Sequence, residues 1–206
     1  MKSAPLTPQL FCEIRRQLLD ATKPKRQLHV LGVEGMAMVL ADRWKIDLET
    51  TLVAALLHDL AKCMPLEEQR EWLDRIRVVP ITPEDYNYKN VWHGKVAAQL
   101  AKDLFGITEP EILTSVAYHS TGCIKMPEVG MVLFVADFIE PSRKWDGADV
   151  TRTRLFQMNL HEAVTEVANL KLEHLREKGQ LPHTQTEEMA HWLRASDKTP
   201  LTQRMD

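Results

Sequence analysis

Apolar residues recur along this chain at intervals of three and four, the period of a helix that buries one face, and strict alternation over a strand's length is scarce. That pattern predicts an all-α fold. The first helix spans 8–21, with Leu10, Ile14, Leu18 and the pair Phe11 and Leu19 as its buried stripe, and Lys23-Pro24 closes it. The second, 27–44, carries Val30, Val33, Ala37 and Leu40 on one side, where Gly32 and Gly35 would let another backbone come close. Asp47 then precedes a third helix whose run Leu52-Val53-Ala54-Ala55-Leu56-Leu57 is apolar all round, which places it mid-core, and which ends in His58-Asp59-Leu60-Ala61-Lys62. A short amphipathic helix over 66–76 follows Pro65. The segment 78–90 holds Pro80, Pro83 and Asn87 and reads as a loop, of a length and position suited to a lid. Helices over 91–105, 109–119 and 128–140 come next, then a long one over 150–178 stopped by Gly179 and Pro182, and a last short one over 186–195. The expected architecture is a bundle of eight to nine helices.

At 206 residues the chain suits one domain, here 1–195, followed by a polar tail over 196–206 that should fray. Hydrophobic residues are 44% and charged residues 27%, an ordinary globular balance that excludes a disordered chain. The net charge of -3 excludes a basic body built for non-specific nucleic-acid binding, so any phosphate-binding surface has to be local. Cys12, Cys63 and Cys123 lie far apart with no paired spacing, which suits a reducing cytoplasm. No signal-peptide core and no apolar run of ~18 residues is present, so no membrane is expected.

Ionisable residues gather where the expected helices end. His58, Asp59 and Lys62 leave the third helix together; His93-Gly94 opens a later one, His119-Ser120-Thr121-Gly122 closes the next, and Asp137-Phe138-Ile139-Glu140-Pro141 closes the one after. Taken singly, a histidine reads as a capping or core side chain with its hydrogen bonds met. Taken together, His29, His58, Asp59, His93, His119 and Asp137 form an imidazole and carboxylate set without thiolate, the donors expected for iron, manganese or zinc in a hydrolytic site. Such a mixed shell leaves coordination positions open, which a closed structural zinc site does not. Asp59 is the natural bridge, because His58 can hold one metal while the Asp59 oxygens face both. Two metals ~3.5–4 Å apart would generate hydroxide near neutral pH and clamp the oxygens of an in-line phosphoryl displacement.

Lys62 lies on the helical face of His58 and Asp59 if the helix continues, and reads equally as a phosphate-binding ammonium or as a solvated lysine complementing the helix dipole. Arg26 and Arg143 are further candidates for gripping phosphate with a planar guanidinium. The Thr121-Gly122 turn offers a hydroxyl and backbone N–H groups to an anion, or is an ordinary helix stop.

The spaced His29, His58-Asp59 and Asp137 resemble the HD superfamily of metal-dependent phosphohydrolases. More closely, Arg26-Gln27-Leu28-His29-Val30-Leu31-Gly32-Val33, Ala55-Leu56-Leu57-His58-Asp59-Leu60-Ala61-Lys62, His93-Gly94, His119-Ser120-Thr121-Gly122 and Ala136-Asp137-Phe138-Ile139-Glu140-Pro141-Ser142-Arg143 are similar to its symmetrical diadenosine tetraphosphatase family, as is the stretch 179–193 with His183, Thr186 and Trp192. The resemblance implies an all-α HD-domain bundle, two divalent metal ions, iron with manganese as the alternative, and cleavage of diadenosine tetraphosphate and related dinucleoside polyphosphates at the central phosphate bridge to give two ADP. It carries the metal role onto the six residues above, and phosphate binding onto Arg26, Lys62 and Arg143, with Asp59, Lys62 and Arg143 at the catalytic centre. The expected partner is that small dinucleotide, with no nucleic acid. An HD enzyme acting on another nucleotide, or a sensing module without turnover, are the competing readings. Ser120 stands where the family favours threonine, Lys125 where it favours glycine, and Gly130-Met131 where it favours a charged pair, so the segment around Cys123 is where substrate preference would diverge.

Overall fold

The Thr7 side chain accepts a hydrogen bond from Leu10 N and Pro8 supplies a preset first turn, so the first helix starts where an exposed amide would otherwise lack a partner. From there a computed structural model describes residues 6–196; the tail beyond Ser196 lies outside the described residues. Among them are ten α-helices and no strand: α1 Pro8–Ala21, α2 Pro24–Trp44, α3 Leu48–Leu57, α4 Leu66–Leu73, α5 Trp92–Phe105, α6 Pro110–Tyr118, α7 Glu128–Ile139, α8 Ala148–Gln157, α9 Leu160–Glu177 and α10 Thr184–Ser196. None of these is long and apolar enough to cross a membrane.

Helix α3 is the hub. Asp47 caps it by accepting from Thr50 N, and Val53 through Leu57 are without exposure, enclosed by α1, α2, α5, α6 and α7. Leu10, Ile14 and Leu18 of α1 are buried as expected, whereas Leu19 is 56% exposed, because its position rotates past the edge of the inward stripe. Lys23-Pro24 opens α2 rather than closing α1; Pro24 sits in the first turn, where its missing N–H costs nothing.

The long helix expected over 150–178 is two helices, which raises the count to ten. The chain leaves helical geometry at Met158 and Asn159, and Asn159 restarts it with a capping box: its side chain accepts from Glu162 N while the Glu162 carboxylate accepts from Asn159 N. Apolar periodicity continues across the break and hides it. Asn159→Ala is expected to lower stability by about 1 kcal/mol, read by urea or thermal denaturation, without changing the site.

The 78–90 segment is pinned rather than free. It contains two 3-10 turns, Asp85–Asn87 and Lys89–Val91, and Asp85 has no exposed surface. Its carboxylate accepts from Thr82 N at 2.6 Å and pairs with Lys95 of α5 and with His183 before α10.

Candidate metal centre

Five segments deliver the six residues that the sequence singled out. His29 lies in the second turn of α2, His58 caps α3 with Asp59 just beyond, His93 sits in the first turn of α5, His119 caps α6 and Asp137 is in the last turn of α7. All six are buried. After Leu57 the chain tightens to three-residue spacing, with Leu60 N donating to Leu57 O and Lys62 N to Asp59 O. Lys62 is therefore brought back by turns, not along a continuing helical face, and its Nζ reaches to 3.3 Å from both His93 ring nitrogens.

Asp59 divides the cluster. Its Oδ2 is 3.5 Å from His29 Nε2 and 3.5 Å from His58 Nε2, while its Oδ1 is 3.2 Å from His93 Nε2 and 3.9 Å from His119 Nε2. His29 Nε2 is also 3.2 Å from Asp137 Oδ1. Two overlapping groups have donor atoms close enough to share a cation: His29, His58 and Asp137, and His58, Asp59 and His119.

The ring tautomers are set from outside the cluster. His58 Nδ1 lies 2.6 Å from Ala55 O, His119 Nδ1 2.8 Å from Val116 O, and His29 Nδ1 3.0 Å from Glu140 Oε1. Each of those oxygens is an acceptor, so each Nδ1 carries the hydrogen and each neutral ring turns a bare Nε2 lone pair inward. Two of those atoms, His29 Nε2 and His58 Nε2, are buried with no hydrogen-bond partner among the described residues. Orphaned lone pairs beside two carboxylates fit divalent cations, which would satisfy them, and HD domains bind such ions.

The charges agree. Burial resists ionisation of Asp59, yet the His58 and His93 imidazoles hold its carboxyl well below the usual range; burial likewise opposes Asp137, which His29 and His58 hold well below it. Burial pushes the His119 imidazole well down, and burial together with the Lys62 ammonium pushes His93 down, so both rings favour the neutral form that binds metal. His58 is pulled both ways: burial lowers it, and Asp59 and Asp137 raise it to a net increase.

Cations surround the carboxylates. Arg26 Nη1 donates to Asp59 Oδ2 at 2.6 Å and Arg143 Nη2 to Asp137 Oδ1 at 2.8 Å. The Thr121 hydroxyl, by contrast, donates to Gly122 O at 2.9 Å and approaches Gln185 at 3.4 Å, and Gly122, at φ 72, packs against Met189.

Two residues escaped the sequence reading. Glu140 is fully buried and orients His29 while accepting from Ser142 N at 2.6 Å and Ser142 Oγ at 2.5 Å. Its signal was the Glu-Pro-Ser run that ends α7. A Cβ on Gly32 would stand 2.5 Å from Glu140 Oε2, so that glycine makes room for a carboxylate where the sequence suggested a neighbouring backbone; among the described residues a Cβ on Gly35 would meet no other element within 4 Å, so Gly35 makes no such approach. Glu140→Gln is expected to weaken metal affinity about 10–100-fold, read by titrating the stripped protein with manganese. Lys171 of α9 is the other: its Nζ donates to Ser120 O at 3.2 Å, and burial lowers its ammonium to about 8 against the pull of Asp137. No motif marks it.

Residues 26–142 match the HD domain family. The symmetrical bis(5'-nucleosyl)-tetraphosphatase of Bacillus subtilis is 32% identical over 87% of this chain and 93% of its own length, and that of Staphylococcus aureus is 27% identical over 89% and 94%. A crystal structure from Clostridium acetobutylicum, described as a predicted HD superfamily hydrolase involved in NAD metabolism, superposes with a TM-score of 0.83 at 28% identity, over 90% of this chain and 97% of that one. The buried histidine and aspartate cluster and these likenesses agree that the chain belongs to the HD-domain family, among the relatives named symmetrical bis(5'-nucleosyl)-tetraphosphatases.

Proposed function

We infer that this protein hydrolyses diadenosine tetraphosphate and related dinucleoside polyphosphates at the central phosphate bridge, giving two ADP. The observation that carries the reading is Asp59, whose two oxygens face different histidines in a cluster ringed by Arg26, Lys62 and Arg143. Tetraphosphate is a compact, highly charged chain, and a buried carboxylate cluster would repel it without that ring of cations. The names of the relatives from Bacillus subtilis and Staphylococcus aureus supply the substrate class.

In this reading His29, His58, Asp59, His93, His119 and Asp137 hold two divalent cations, iron by preference and manganese as substitute, since imidazole and carboxylate donors accept both. Bound there, the cations would lower the pKa of water and offset charge on the reacting phosphate. The chain's own groups do the rest. Arg26 and Arg143 each spend part of a guanidinium on a carboxylate of the cluster and keep N–H donors for phosphate oxygens. Lys62 places an ammonium beside His93; burial lowers its pKa while Asp59 counters, and its charge would stabilise the ADP that leaves as the bridging P–O bond breaks. The Thr121 hydroxyl is held by Gly122 O and Gln185, and Gly122 packs against Met189, so a phosphate taken by the Thr121-Gly122 turn would compete with those partners.

The buried core is continuous from Leu10 to Leu193, which supports residues 1–195 acting as one domain. The three free cysteines support a reducing cytoplasm.

The test is incubation of iron- or manganese-supplied protein with diadenosine tetraphosphate and chromatography of the products. ADP alone supports the reading. ATP with AMP, or an untouched dinucleotide beside a hydrolysed mononucleotide, overturns it.

A further inference from the structure

Helix α9 carries no residue of the histidine and aspartate cluster, yet it sends one charge toward it. Lys171 Nζ sits 4.0 Å from the centre of the Phe134 ring and donates to the carbonyl of Ser120, the residue after His119, at 3.2 Å. It is close enough to Asp137, Arg143 and Lys62 for all three charges to act on it. An ammonium has three N–H donors, and the Ser120 carbonyl takes one.

Among the described residues Lys171 has no carboxylate within 4.0 Å, although Lys95, Arg26 and Arg143 each have one. A cation drawn in from water without an anion at hydrogen-bond distance is costly, and a carbonyl and an aromatic face repay only part of that cost. The ammonium itself lies over the face of the Phe134 ring, which fixes where the charge sits. What such a group lacks is an anion. The adjoining site, in the reading above, takes four linked phosphates, more than Lys62, Arg26 and Arg143 each contact at one point.

Resting on that reading, we propose that Lys171 is a substrate-binding residue, and that its ammonium grips a phosphate of the polyphosphate bridge next to the one being cleaved. Lys171 thus reads the length of the phosphate chain from a helix outside the metal cluster. A purely structural role, tying α9 to the end of α6 through the Ser120 carbonyl, is the alternative that the test has to separate.

The probe is inorganic tripolyphosphate, titrated calorimetrically into manganese-loaded wild type, Lys171→Met, Lys171→Gln and Lys171→Arg, with metal content and melting temperature measured on each. Lys171→Gln keeps an N–H for the Ser120 carbonyl and loses the charge, so it serves if Lys171→Met is unstable. The expected result is tripolyphosphate binding weaker by at least about tenfold in both neutral variants, most of it restored in Lys171→Arg, with metal content unchanged. KM for diadenosine tetraphosphate should rise in parallel while kcat moves less. Unchanged tripolyphosphate affinity in Lys171→Gln, or a loss confined to melting temperature, overturns the proposal. Failure of wild type to cleave diadenosine tetraphosphate would instead remove the parent reading, and the tripolyphosphate comparison would still decide Lys171.

Discussion

Asp59→Ala is expected to lower turnover of diadenosine tetraphosphate by at least about a thousandfold and to leave the protein with little bound metal. The reason is geometric. The Asp59 oxygens face opposite ways, Oδ2 toward His29 and His58 and Oδ1 toward His93 and His119, so removing the side chain takes a donor from both halves of the cluster at once. It also frees Arg26, which donates to Oδ2 at 2.6 Å, and leaves that guanidinium facing inward rings without its anion. Asp137 touches only the His29 side and is shared with Arg143, so Asp137→Ala should keep the His93 and His119 half and retain about one cation where Asp59→Ala retains about none. Elemental analysis per chain, run beside product chromatography, separates the two variants. Equal metal content in Asp59→Ala and wild type would remove the bridging role, whatever happened to turnover.

Candidate ligands were legible in the sequence because metal chemistry restricts the residue types that can serve. Histidines and aspartates at successive helix ends stand out against an apolar background, and the structure gathers all six into one buried cluster. The helices themselves were legible from period, since Leu10, Ile14 and Leu18, or Val30, Val33, Ala37 and Leu40, bury as the spacing demands. Breaks were less legible, because a capping box at Asn159 interrupts a helix without interrupting its apolar stripe. Residues acting from outside the cluster were least so. Lys171 is one lysine among many until α9 is packed against α7, and nothing in its neighbours marks the approach. Lys125 shows the reverse case: it sits at φ 55, a left-handed conformation that costs a side chain roughly 1–2 kcal/mol and that a glycine, expected there from the resemblance, would adopt freely. The departure seen in sequence is thus a local strain, set a few residues after the His119 turn.

The largest effect on stability is expected away from the metal, at Lys95→Met. Lys95 is 1% exposed and pairs with the fully buried Asp85, whose carboxylate also takes hydrogen bonds from Thr82 N and from Thr82 Oγ1 at 2.9 Å and faces His183 Nε2 at 3.2 Å. Removing the ammonium strands a buried carboxylate, which costs about 3–5 kcal/mol; replacing both residues, as Lys95→Met with Asp85→Asn, should cost much less, because no unpaired charge remains. The pH dependence follows from Asp85. Burial opposes its ionisation, but His183, Lys95 and Thr82 hold the folded pKa below the unfolded value of about 3.9. Its contribution to stability is therefore complete above about pH 4 and falls away as pH drops from there toward the folded pKa. The gap between wild type and Asp85→Asn in urea melts should be flat from neutral pH down to about 4 and close below it. Because Asp85 anchors the 78–90 segment to α5 and to the entrance of α10, Lys95→Met should also raise hydrogen exchange across 78–90 while the core of α3 stays protected. A variant that melts like wild type, with that segment still protected, would mean that Thr82 and His183 alone carry the Asp85 charge and that the lysine is dispensable to the fold.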